Sequence, residues 1–399
     1  NSGFDAIVGN PPFAGVSTLS ESNHEHYTTH LRKTWSETGG KCDLVAFFFR
    51  RAFDTLRASG CFGLIATNTI SQGDTRASSL IPLVREGATI YAATKRLKWP
   101  GEAAVVVSVI HMHRGHYPGE VVLNREVVPK ITAFLFTKGG SEMPLPIPTP
   151  IQSVTKGVVP YGVGFVVDDG TDGCIPRSTV SEVLSREPKS SPRVRPYMGG
   201  EDINNIPSLN PDKQIVYLDD LEAEDAARFP GLFRLIEQYV KPERDALTTQ
   251  SGAATLKRYW WRYQYSAHEL FDRIGQDRLD YVFAVARVSP HLAVGRLTTD
   301  IVFNEKLIVF PINDWRAFAV VQSMLHDGWV RLLTSTLEDR LNYSPSDCFE
   351  TFPFPENFET DASLEAAGKE YYEFRAALMV KNDDGLTKTY NRFHDPGEA

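Results

Sequence analysis

Asn10-Pro11-Pro12-Phe13 is the stretch of this sequence with the most chemistry in it. Two carbonyl oxygens, one on the Asn10 side chain and one on the Pro11 backbone, lie one residue apart, and both accept hydrogen bonds. The lone pair of an amino group on a planar heterocycle is delocalised into the ring. Acceptors aimed at its protons favour the pyramidal geometry in which that lone pair becomes nucleophilic. The two prolines stiffen the loop, and Phe13 offers a ring on which the heterocycle can stack. The same four residues also suit an ordinary turn, so the reading depends on what positions them.

Phe4-Asp5-Ala6-Ile7-Val8-Gly9 is a short apolar run closed by glycine and prolines, the pattern of a buried parallel strand ending at a ligand-binding edge. From Asp43 to Ala58, Leu44, Phe48, Ala52 and Leu56 share one helical face, and Ser59-Gly60 predicts the stop. Phe62 to Thr67 reads as a second buried strand and Thr75 to Glu86 as a helix. Thr89 to Thr94 and Ala104 to Met112 read as two strands around a turn. This order predicts half of a doubly wound α/β sheet ending in a hairpin.

With these elements in place, the chain resembles the class I methyltransferases of adenine-N6 type, γ-order, found in restriction-modification and phage-defence systems. Asp5 to Phe13 matches their Asp-x-Ile-x-Gly-Asn-Pro-Pro-Tyr/Phe strand and loop, Asp43-Leu44 resembles the acidic helix opening, and Gly60 to Asn68 the glycine-led strand. The resemblance implies S-adenosylmethionine as cofactor, double-stranded DNA as partner, Asn10, Pro11, Pro12 and Phe13 as catalytic residues, and Trp99 as a second ring on a flipped base. Trp99 equally suits a half-buried hairpin aromatic. Direct attack on a methyl sulfonium needs no covalent intermediate, and none of Cys42, Cys61, Cys174 and Cys348 follows a proline. The family's Phe-x-Gly-x-Gly cofactor loop is expected upstream of Asn1, in a longer parent polypeptide that can also carry a nuclease. Tyr161-Gly162-Val163-Gly164-Phe165 is set aside as a permuted copy, since Pro160 rather than a buried strand precedes it. This chain alone is therefore expected to be inactive, with the strand ending at Gly9 left as an unpaired apolar edge.

The fold expected is thus the C-terminal half of a Rossmann-like methyltransferase sheet followed by a mixed α+β target-recognition domain. The boundaries are 1–115 for the catalytic half, 116–156 for a proline-rich linker, 157–355 for recognition and 356–399 for a helical end. The recognition region resembles that of single-chain restriction-methylation enzymes through Tyr161 to Phe165, Arg195 to Asp202, Trp260-Trp261, and Leu341-Asn342-Tyr343-Ser344-Pro345 with Phe352-Pro353-Phe354-Pro355. Arg193, Arg195, Lys257, Arg258 and Arg262 are candidate DNA contacts, and Trp260 and Trp261 are read as core. Salt bridges suit Arg193 and Arg195 as well.

Composition bounds these readings. The 399 residues are 42% hydrophobic with a net charge of -8, which argues against a protein that coats nucleic acid indiscriminately and leaves room for a local basic cleft. No apolar run approaches a membrane span, and a cytoplasmic location follows. The scattered cysteines suggest neither zinc nor disulfides, and His24, His26 and His30 read as surface residues, so no metal is expected. Transfer to cytosine N4, RNA guanine N2 or protein glutamine uses a similar loop, and a DNA-binding specificity fragment without activity is the non-enzymatic alternative.

Overall fold

The structure is a computed structural model that describes residues 2–13, 25–36, 42–99, 106–148, 151–248, 252–334, 336–337 and 340–398. It divides into two compact units. One comprises Asn1–Ile147 with Gly328–Thr351, the other Pro148–Asp327 with Phe352–Ala399.

The first unit is built on strands β1 (Phe4–Gly9), β2 (Leu56–Thr67), β3 (Thr89–Lys98), β4 (Val106–His113), β5 (Val121–Leu123) and β6 (Glu126–Val128), in the order β1-β2-β4-β3-β5-β6. β1 runs parallel to β2, and β4 lies antiparallel between β2 and β3. β1, β2 and β3 therefore point the same way. β5 and β6 arise from the segment read as a linker, and β5 extends the sheet by pairing parallel to β3.

Helix α1 (Glu25–Thr34) precedes α2 (Leu44–Thr55), and Trp35 Nε1 donates to Asp54 Oδ2 at 3.0 Å to fix the chain after α1 against α2. Val45, Phe49 and Phe53 of α2 bury against Phe62 and Leu64 of β2, with Ile90, Ile110 and Met112 completing the core. Phe49 meets Phe62 edge to face at 5.5 Å. The helix expected over Thr75 to Glu86 is instead two short ones, α3 (Gly73–Ser78) and α4 (Leu80–Arg85), broken at Ser79. Pro82 explains the break, because it has no N–H to offer the carbonyl of residue 78.

Two further expectations are corrected. Ser59-Gly60 does not stop a helix, which ends at Thr55; Gly60 lies inside β2. A Cβ on Gly60 would stand 2.8 Å from the Phe4 carbonyl oxygen, so glycine is required there for β1 to approach. β1 itself is not a buried strand. It is an edge strand among the described residues, with Phe4 62% and Val8 88% exposed.

Arg76 is fully buried. Its guanidinium lies 3.6 Å over the Phe134 ring, donates to the Ser71 carbonyl at 3.0 Å and contacts the Met143 sulfur. Burial lowers its pKa to about 10, against the pull of Asp347. The loop after β2 and residues 134–143 are thereby held by one side chain.

The second unit contains β7 (Thr155–Lys156), β8 (Val166–Val167), β9 (Val194–Met198), β10 (Gln214–Val216) and β11 (Tyr281–Ala286), with further strands Gly295–Thr298, Val302–Phe303 and Leu307–Phe310. They form two four-stranded sheets, Val302–Phe303/β9/β10/β8 and Gly295–Thr298/β11/Leu307–Phe310/β7. Two helices, Trp315–Val321 and Met324–Leu333, are separated by a break at Gln322-Ser323, where His326 Nδ1 pairs with the Val321 carbonyl. Before a last helix, Leu386–Phe393, Asp361 caps the long helix Ala362–Asn382. Arg375 secures that helix, bonding Gln322 and Tyr390 at 3.0 Å each.

The close approach at Gly60 makes a sharp test. Gly60→Ala should loosen the β1–β2 ladder by about 1–3 kcal/mol, the usual cost of overpacking. Hydrogen exchange of amides 6–9 should accelerate accordingly, while amides of β11 keep their protection; unchanged exchange at residues 6–9 would show that the ladder does not depend on this glycine.

Candidate active site and nucleic-acid interface

Because β1, β2 and β3 are co-directional, the residues that follow them emerge on one rim of the sheet: Asn10 to Phe13 after β1, Asn68 to Ser71 after β2 and Trp99 after β3. Pro11 is buried and anchors the loop, while Asn10 and Pro12 are exposed and Phe13 is 36% exposed. An exposed carboxamide and ring beside an anchored proline is the arrangement an incoming heterocycle needs. Trp99 is half-buried. Three strand spacings, roughly 14 Å, separate its strand from β1, so Phe13 and Trp99 stand on either side of the rim's middle.

The acidic helix opening is engaged in holding this rim. Asp43 caps α2 by accepting from Val45 N at 3.1 Å, its own N–H donates to Thr75 Oγ1 at 3.1 Å, and Thr67 Oγ1 at the end of β2 reaches Oδ2 at 3.5 Å. Thr67 and Thr69 share a hydrogen bond of 2.7 Å. Thr67, Thr75 and Arg76 did not emerge from the sequence reading. The run of hydroxyl residues directly after a strand was the available signal.

The glycines of Tyr161 to Phe165 are packing devices: a Cβ on Gly162 would strike the Glu243 carboxylate, and one on Gly164 the Tyr239 carbonyl. No group of three His, Cys, Asp or Glu suited to a metal occurs among the described residues. Of the three histidines, His24 and the side chain of His26 lie outside the described residues, and His30 is exposed. Likewise, among the described residues no helix is long and apolar enough to cross a membrane.

In the second unit, three of the five candidate cations are committed internally. Arg193 Nη1 donates to both Asp220 carboxylate oxygens at 2.7 and 2.9 Å. Arg195 donates to the Asp300 and Thr299 carbonyls and lies over the Tyr217 ring. Arg262 pairs with Glu222 at 2.7 Å and reaches the Leu221 carbonyl. Trp261, 7% exposed, also donates to the Leu221 carbonyl, and Tyr263 bonds Asp219 and Val216, so the loop 216–222 is held from several sides. Trp260 packs on Phe233 at 4.9 Å. Lys257 is half-buried and Arg258 exposed at the end of helix Ala253–Arg258, and neither forms an ion pair among the described residues.

Two segments singled out in the sequence, Tyr161 to Phe165 and Arg195 to Asp202, converge on one cleft of about 580 Å³. Its walls carry Lys213, Lys306, Glu201 and Glu305, a mixed rather than a basic lining. Asp202 accepts from Gly199 N at 2.7 Å and faces Lys213 at 3.7 Å, and Tyr197 hydroxyl is bonded by Asn304.

Residues 4–122 match the family described as MmeI, DNA-methyltransferase domain, and residues 150–356, more than half of the chain, match MmeI, target recognition domain. The chain belongs to the MmeI family. It is 21% identical over 366 residues to DNA methyltransferase A of Bacillus subtilis (strain 168), covering 88% of this chain and 39% of that protein. Its fold matches the structure of the Type IIL restriction-modification enzyme MmeI in complex with DNA, with a TM-score of 0.73 and 20% identity over 98% of this chain and 52% of that one. This MmeI-family chain therefore spans about half, or less, of the length of the proteins it matches.

The buried phenols of the MmeI-type recognition unit give a pH signature. Burial pushes Tyr197 and Tyr217 up to about 12, and Tyr263 higher still. Unfolded phenols ionise near 10, so above that pH the folded state retains protons that the unfolded state loses. Stability from these groups is full below about pH 10 and falls as the pH rises toward 12. Absorbance of phenolate should show these tyrosines titrating only at the alkaline limit, together with unfolding; Tyr197→Phe should shift part of that transition. Early titration near pH 10 in the folded protein would contradict the burial.

Proposed function

We propose that this chain carries the amine-activating loop and the target-reading region of a site-specific DNA methyltransferase, one that modifies adenine N6 in a restriction-modification or phage-defence system. The observation that carries the reading is Asn10-Pro11-Pro12-Phe13 on the carboxyl rim of a parallel pair, with Pro11 buried and the Asn10 side chain exposed. Membership in the MmeI family and the fold match to an enzyme solved with DNA support it.

In this mechanism the base leaves the duplex and stacks on Phe13, with Trp99 closing from the other side of the rim. Asn10 Oδ1 and the Pro11 carbonyl oxygen accept the two amine protons, concentrating the lone pair on nitrogen as charge develops. S-adenosylmethionine supplies the methyl group and is held by the remainder of the parent polypeptide. Exposed Phe4 and Val8 on β1 offer the edge against which that remainder pairs. In the recognition unit, Lys257 and Arg258 are the proposed phosphate contacts. Arg193 and Arg262 instead shape the surface by fixing loop 216–222, and Arg195 by holding the Thr299 and Asp300 carbonyls.

Two experiments test this. In the full-length protein, Asn10→Ala should reduce methyl transfer by more than about 100-fold, the scale of losing an aimed acceptor or donor in such sites, with DNA binding retained. Digestion of the product to nucleosides should yield N6-methyladenine; N4-methylcytosine would overturn the choice of base. The 399-residue chain by itself should show no heat of binding with S-adenosylmethionine in calorimetric titration, and micromolar binding would place the cofactor site within this chain.

A further inference from the structure

The catalytic loop is rich in acceptors and poor in donors. Pro11 and Pro12 have no N–H, and the Asn10 and Pro11 oxygens are both used on the amine. A purine taken out of the duplex loses the donor that faced its ring nitrogen in the base pair. Two ring nitrogens flank the amine, and each is an acceptor. Left unsatisfied in a closed site, such an acceptor costs enough to slow the reaction, so a donor has to come from elsewhere on the rim.

The strand next to the loop supplies one. Gly9 of β1 pairs with Leu64 of β2. Asn68 directly follows the end of β2, and Phe13 lies four residues beyond the end of β1, so both leave the same rim of adjacent parallel strands. The polar side chains around Asn68 are engaged: Thr67 with Thr69, Ser71 Oγ with the Asn68 carbonyl at 3.2 Å, Thr75 with Asp43 N, and Ser79 Oγ with the Thr75 carbonyl. Arg76 fixes the same turn through the Ser71 carbonyl. The Asn68 carboxamide is half-buried and makes no hydrogen bond among the described residues. Its backbone is clamped and its side chain is open, as a presented donor requires.

We propose that Asn68 is a second substrate-contacting residue of this rim, whose side-chain N–H donates to a ring nitrogen flanking the amine of the base stacked on Phe13. The inference rests on the methyl-transfer reading above and adds a residue to it. No bond is made or broken by Asn68. It binds the base in register, so that the amine meets the Asn10 and Pro11 oxygens.

The test uses the full-length protein under single-turnover conditions, on duplexes whose target adenine is replaced by 1-deazaadenine or 7-deazaadenine. Wild type should lose roughly 10–100-fold in rate on one of the two analogues. Asn68→Ala and the near-isosteric Asn68→Asp, which lacks the N–H, should each lose a similar factor on adenine. On the sensitive analogue their losses should not multiply with that of the analogue, the mark of one shared contact. Wild-type rates unaffected by either deaza substitution would overturn the inference without any variant, as would losses that multiply for both. Failure of the parent reading looks different: wild type would then leave adenine unmodified. If the product is N4-methylcytosine, the same cycle on 3-deazacytosine decides whether Asn68 faces the ring nitrogen of that base.

Discussion

The parallel pairing of β1 with β2 decides where the chemistry stands. β1 is six residues long and, among the described residues, lies at the edge of its sheet with one hydrogen-bonding neighbour, so that ladder sets the height of Asn10 above the rim. Gly60 permits the approach where the ladder starts and Pro11 is buried where the chain leaves it. A slip of one residue would turn the alternate face of β1 toward the core and move Ile7, the partly buried side chain of that strand, out of contact with it. The rest of the rim follows from the same geometry, since β2 and β3 open on the same side only because β4 is inserted between them in reverse.

Around that ladder, the buried strong donors serve to freeze loops. Arg76 ties the turn after β2 to Phe134 and Met143, and Asp43 joins the start of α2 to the end of β2 and to Thr75. The recognition unit uses the same economy, with Arg193 and Arg262 converging on loop 216–222 and Arg244 donating to the Pro160 and Arg262 carbonyls. A guanidinium with several directed donors suits this task, because it can satisfy carbonyls of segments distant in sequence at once. Arg258 differs from these in remaining exposed without an ion pair among the described residues.

What was legible in the sequence was local. The tetrapeptide, the alternation of strands and helices and the antiparallel pair of β3 and β4 are set by neighbours within about a dozen residues and are present, whereas the extension of the sheet beyond that pair by β5 and β6 was not foreseen. The partners of Arg193, Arg195 and Arg262 lie 27, 105 and 41 residues away. No single-sequence pattern fixes contacts at that distance, and the cations read equally well as free. The exposure of β1 is nonlocal too, since composition records how apolar a strand is and pairing decides which side of it is covered. The break at Ser79 was visible in Pro82; the one at Gln322 was not, because His326 stabilises it through a side-chain bond to Val321.

The edge character of β1 and the donor-poor loop belong to one physical situation. An acceptor pair works on an amine only where water does not compete for its protons, and an edge strand with Val8 88% exposed does not by itself exclude water. Covering that edge with a further strand would bury Val8 and Phe4, remove solvent from the neighbourhood of Asn10 and strengthen each hydrogen bond made there. The gain in apolar burial and the gain in catalytic electrostatics come from the same contact. In the proposed mechanism the ladder alone places the acceptors, and their strength depends on how far that edge is covered.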